Sequence, residues 1–181
     1  MLMTKRLLWM VLAIAPVAAY GQTTWMKAVN GQYERYKLNL NETAQAMPEG
    51  EYEFKLTPAQ RPFSGWIEHT AVMLYGACAN IQGVAAPEAS KHVEHAKGKE
   101  ALSKALAESF AYCDGAIAKL DATKAEQEIV IGTRKVVPAT VLVNLIASLN
   151  EHYGNLVGYM RTKGIVPPTT ARANAASQKK N

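Results

Sequence analysis

Residues 138–164 read PATVLVNLIASLNEHYGNLVGYMRTKG. Pro138 opens the stretch and Gly164 closes it, with Pro167 and Pro168 just beyond, which is the order in which proline starts a helix and glycine ends one. Between them Val141, Leu145, Ser148, His152, Leu156 and Tyr159 recur at steps of 4, 3, 4, 4 and 3, so they form one face of an α-helix that runs to about Lys163. The two polar members of that face, Ser148 and His152, therefore point where the apolar ones point, into a core.

Three more segments share this period. Trp25, Val29, Tyr33, Tyr36, Leu40, Ala44 and Met47 predict a helix from Thr24 to Met47, ended by Pro48, Glu49 and Gly50. Residues 51–63, with Pro58 and Pro62, read as an extended connection, and Ser64 is placed to cap a helix from Gly65 to Gln82. That second helix carries no charge between His69 and Gln82 and so is buried on most sides. The third, Lys99 to Leu120, lines up Leu102, Leu106, Phe110, Cys113, Ile117 and Leu120 between a polar loop at 84–98 and Asp121. Ile129 to Ile131 is a short β-prone piece. Four helices of about 18 to 26 residues with modest connections and no internal repeat imply an all-α protein, an antiparallel four-helix bundle.

The chain has 181 residues, 49% hydrophobic and 19% charged, enough apolar content for a single core and too much for wholesale disorder. Lys5 and Arg6 precede an uncharged run, Leu7 to Ala19, followed by small residues up to Gly21. This is the layout of a secretory leader, too short for a membrane helix, so residues 1–21 are expected to be a cleaved signal and the mature protein to be periplasmic or secreted, with no membrane span. The leader takes two positive charges, and Arg172, Lys179 and Lys180 lie in a tail at 169–181 expected to be disordered. The body, 22–168, then carries 15 basic and 15 acidic residues. A neutral body offers no clustered cations for a phosphate backbone, so nucleic acid is excluded as a partner.

The candidate chemistry lies in histidines. His69 shares a helical face with Trp66, Met73 and Gly76, at i−3, i+4 and i+7, and should point inward like His152. Two imidazoles projecting from different helices into one bundle can share a metal ion, or each can be a hydrogen-bonded core residue. Glu68 and Glu151 adjoin the two histidines but diverge from them by about 100° around their helices. Asn144, one turn before Ser148, could bind a water there. His92 and His95 fall in the polar loop and read as solvated. Cys78 lies nine residues past His69, on the opposite face. Cys78 and Cys113 are candidates for a disulfide between the second and third helices, which export permits, or for buried thiols. The tyrosines, with Trp25 and Trp66, read as packing residues. No P-loop, G-x-S-x-G, C-x-x-C or H-E-x-x-H motif is present, which removes the usual sequence support for nucleotide hydrolysis, serine hydrolysis and thioredoxin-type chemistry.

The stretch NEHYGNLVGYMRTKGIVPP from Asn150 closely resembles the C-terminal helix of DinB-like proteins, FSGWIEHTA from Phe63 resembles the start of their second helix, and ESFAYCD from Glu108 their third. The resemblance spans residues 24–168. It implies a four-helix bundle with a three-histidine site for a divalent metal, zinc or nickel, in which His69 and His152 match two ligands. The remaining ligand of the family lies four residues before the last, and that position is Ser148 here. The resemblance further implies a thiol-dependent transferase or hydrolase-like enzyme acting on a small molecule, and a homodimer. The alternative is a non-catalytic binding or stress-associated bundle that has lost its metal.

Overall fold

The computed structural model describes residues 18–179. In order it contains helix α1 (Ala18–Ala46), a 3-10 turn (Glu49–Glu51), α2 (Phe63–Gln82), α3 (Ala89–Val93), α4 (Gly98–Ile117), α5 (Ala122–Glu126), strands β1 (Ile129–Ile131) and β2 (Arg134–Val136), α6 (Pro138–Thr162) and α7 (Pro168–Gln178). The expected leader at 1–21 lies outside the described residues except for its last four, Ala18–Gly21, which begin α1.

Each end of the long helices has a local cause. Pro138 sits in the first turn of α6, where its missing N–H is no loss. Gly83 caps α2 at φ 72°, a conformation that lets its N–H bond back to the carbonyls of Ala79 and Asn80 and that other residues adopt only with strain. Ser64, expected to cap α2, does not. The helix begins one residue earlier at Phe63, behind Pro62, and the incoming chain supplies the caps: Phe63 N–H donates to Phe54 O at 3.0 Å and Ser64 N–H to Tyr52 O at 2.7 Å. Asp121 caps α5 by accepting from Lys124 N–H at 2.8 Å.

The all-α bundle is built from α1, α2, α4 and α6, with α2 packed on α4 and α6, and α1 packed on the same two. Cross-contacts set the directions. Trp66 meets Tyr159 and Thr70 meets His152, so α2 and α6 run antiparallel. Glu49, just past α1, accepts from Lys99 N–H at the start of α4, while Tyr33 in mid-α1 donates to Phe110 O and Asp114 near the end of α4, so this pair is antiparallel too. The other two faces are parallel: Cys78 meets Cys113, each late in its helix, and Tyr36 donates to Asn150 where α1 and α6 ascend together. Residues 83–97, including α3, must therefore run back along the bundle, a crossover of about 30 Å for a 20-residue helix.

Tyr33, Leu40, Phe63, Ile67, Leu74, Leu106, Phe110, Leu142, Leu149 and Leu156 form the core at 3% exposure or less, with Tyr52 inserted beneath α1 through its hydroxyl on Ala44 O at 2.6 Å. Trp25 and Val29, expected on the core face of α1, are only half-buried, because the bundle covers α1 from Tyr33 onward. Ile129–Ile131 forms an antiparallel two-stranded hairpin with Arg134–Val136. The tail expected to be disordered from 169 is instead the helix α7 over most of its length. Pro168 starts it as Pro138 starts α6, its alanines favour helix, and Arg172 clasps Glu42 and Asn39 of α1 while Tyr153 Oη meets Thr169 Oγ1 at 2.8 Å. Among the described residues no helix is long and apolar enough to cross a membrane.

Cys78 and Cys113 are joined, with a Cα–Cα distance of 5.2 Å, and both are fully buried. A link that closes a loop across 35 residues restricts the unfolded chain by about 3 to 4 kcal/mol. A Cys78→Ala/Cys113→Ala double variant should lose at least that much stability in a denaturant titration. A double variant as stable as the parent would show that the link contributes nothing.

Candidate imidazole pair site

The antiparallel face between α2 and α6 brings the two expected histidines together. Their ring centroids lie 5.1 Å apart with an angle of 49° between planes. Trp66 closes one side, 5.3 Å from the His152 ring and 6.4 Å from the His69 ring. His152 is 5% exposed, whereas His69 is half-buried. Ser148 is half-buried one turn before His152 on α6, as its register requires.

The protonation of His152 can be read from its neighbours. Thr70 Oγ1 donates its single proton to Trp66 O at 2.7 Å. Towards His152 Nδ1, 3.1 Å away, it can then act only as acceptor, so Nδ1 carries the ring proton. Nε2 is left with a free lone pair. This is how a buried imidazole is prepared to serve as a ligand or a base, with one nitrogen anchored and the other available.

Charge reinforces that state. Burial, then the neighbouring His69, then the Arg61 cation hold His152 down from 6.5 to about 4. Burial first and Arg61 second also lower His69, against the opposing pull of Glu151 and Glu68. Both rings are neutral near pH 7.

Two residues of this site carried no separate signal in the sequence. Thr70 sits next to His69, off its stripe, and its role depends on where α6 lies. Arg61 precedes α2 in the connection, and is placed by Tyr159, whose hydroxyl donates to Arg61 O at 2.5 Å and accepts from Trp66 Nε1 at 3.2 Å. Other candidates lie elsewhere. Asn144 is exposed beside Trp25 and Val143, and His92 and His95 are exposed on and after α3. Glu151 is exposed and Glu68 half-buried.

Two solved structures have the same architecture. A DinB-like protein from Bacillus subtilis superposes with a TM-score of 0.62 at 16% identity, over 77% of this chain and 93% of that one. A second, from Bacillus cereus, superposes with a TM-score of 0.63 at 12% identity, over 78% and 95%. The fold is DinB-like. Neither a family model nor a curated protein matches the sequence.

The donor set of this DinB-like bundle can be compared with what a divalent ion needs. Two imidazole nitrogens on one zinc at about 2.1 Å and a roughly tetrahedral angle set their ring centroids about 5 Å apart, close to the separation found. The third donor falls short. Ser148 offers a neutral hydroxyl, and among the described residues no group of three or more His, Cys, Asp and Glu side chains could hold an ion. Two nitrogens are one protein ligand fewer than the three that hold a catalytic zinc ion.

The depressed His152 value has a consequence for stability. A folded value near 4 against 6.5 in the unfolded chain means that the unfolded state takes up the proton first as pH falls. The contribution is complete above pH 6.5, is lost as pH drops towards 4, and amounts to about 3 kcal/mol. Stability measured across that window should fall less steeply in His152→Gln than in the parent. Equal slopes would mean that the ring is not held neutral by its site.

Proposed function

We propose that this DinB-like bundle is an exported protein that binds a divalent transition ion, zinc or nickel, at His69 and His152, and that works as a thiol-dependent transferase or hydrolase-like enzyme on a small molecule. The observation that carries the reading is the pair itself: two neutral imidazoles from facing helices, 5.1 Å apart, one with its tautomer set by Thr70. Export is supported by the leader pattern and by a buried disulfide, which persists in oxidising compartments.

In this reading His152 Nε2 and His69 hold the ion, and Thr70 keeps the His152 ring from turning. Trp66 walls off one side from water. Ser148 leaves room where a third protein ligand would stand. When bound, the ion supplies Lewis acidity, lowering the pKa of a coordinated thiol or water. Burial first, with the Arg61 cation adding to it, keeps both rings deprotonated, which ligation requires.

A second reading is favoured by one observation, the missing third donor at Ser148. It is a bundle that keeps the DinB-like fold for binding and has lost its metal. Zinc titration of chelator-treated protein separates the two. The first reading expects saturable binding that disappears in His69→Ala and in His152→Ala, and a gain of roughly tenfold or more in Ser148→His, where a third nitrogen joins the set. A parent that binds no zinc while Ser148→His binds it establishes the second reading. No binding in either, with the fold intact, overturns the placement of the site.

A further inference from the structure

Helix α2 carries two different kinds of chemistry on two faces. One face presents His69 to α6. The other presents Cys78 to α4, where it is joined to Cys113, and α4 is the element against which α2 packs most extensively. Both cysteines are at 0% exposure. The bundle is closed around them: Cys113 Sγ lies 3.3 Å from Leu74 O, and one turn further along α4 Ala116 and Ile117 are buried as well. Tyr75 and Tyr112, close to the two cysteines in sequence, meet ring to ring at 5.4 Å. A cavity of about 330 Å3 opens near the ends of α2 and α4, with Ile81, Gln82, Ala116 and Leu120 among its walls, and neither cysteine lines it.

Opening a disulfide takes more than a reductant in solution. A thiolate must reach one of the two sulfurs and bond to it before the other can leave. With a dithiol reagent the first attack gives a mixed disulfide and the reagent's second thiol then displaces the protein. Two electrons and two protons end on the cysteines, and the reagent leaves as a cyclic disulfide. In this fold neither sulfur can be approached unless α2 and α4 part. Parting them breaks the core between the most extensively packed helices, which belongs with global rather than local opening. We infer that the Cys78–Cys113 link is sealed by the fold: it closes while the chain is still open, and the folded protein then keeps it shut against thiols. A small thiol brought to the imidazole pair meets the α6 side of α2, whereas the disulfide lies on the α4 side, so a thiol-using pocket and a disulfide share one helix without exchanging. That consequence rests on the thiol chemistry proposed above; the sealing itself does not.

The full oxidised chain is mixed with excess dithiothreitol, and timed samples are quenched with a maleimide whose added mass counts free cysteines. In buffer the cysteines should be released at least about a hundredfold more slowly than from the same chain unfolded in urea, because only the rare open molecule reacts. Urea below the unfolding transition should speed the release in proportion to the fraction unfolded. Release in buffer that is slowed by less than about a hundredfold overturns the inference. So does a rate indifferent to low urea, which would mean that thiols attack the folded chain directly. The assay contains neither metal nor substrate, so it can fail while the zinc titration succeeds, and succeed while that titration fails.

Discussion

A buried imidazole must find a partner for its N–H. Left unpaired in the core, that donor would cost about 1 to 3 kcal/mol, and in this protein Thr70 meets it. The requirement reaches beyond one hydrogen bond. For Thr70 to lie level with His152, α2 and α6 must be antiparallel and in a single register, and that register also sets Trp66 against Tyr159. Tyr159 in turn anchors the backbone that carries Arg61. The cation, the indole and both imidazoles are positioned by one helix pair, and none of them could shift by a turn without leaving a polar group unpaired.

The rest of the bundle supports that face. With α1 and α6 parallel and α2 and α4 parallel, the long helices do not form a simple up-and-down meander, and the segment 83–97 has to return along the molecule. A crossover of that length is a weak constraint on how two helices align. The Cys78–Cys113 link and the adjoining Tyr75–Tyr112 ring contact, at 5.4 Å, fix the alignment of α2 and α4 at their far ends. At the near end Tyr52 does so, with its ring 5.0 Å from Phe63 and its hydroxyl on Ser103.

The helices were legible because their signals are local. Pro138, Gly164 and the stripe through Leu145 and Leu156 specify α6 without reference to anything else, and the inward direction of His69 and His152 follows from the same period. What was not legible depends on more than one element. Ser64 has the chemistry of a cap, but the chain folding back from Tyr52 and Phe54 satisfies the helix start instead. The polar composition of 169–178 resembles that of an unstructured tail. Its order comes from Arg172 reaching Glu42 and Asn39, 130 and 133 residues away. Thr70 and Arg61 acquire a role only when α6 is laid against α2, and spacing within one helix cannot express that.

The parallel course of α1 and α6 also orients the molecule with respect to anything joined to it. Tyr36 lies level with Asn150, so the imidazole pair is roughly 20 Å along the bundle axis from Trp25 in α1. A surface or fused domain attached ahead of Trp25 faces one pole of the bundle, and the imidazole pair is displaced towards the other. The start of α7 lies much nearer, since Thr169 touches Tyr153, the residue next to His152. The side on which this protein is immobilised is therefore also a choice of how far the imidazole pair stands from the support.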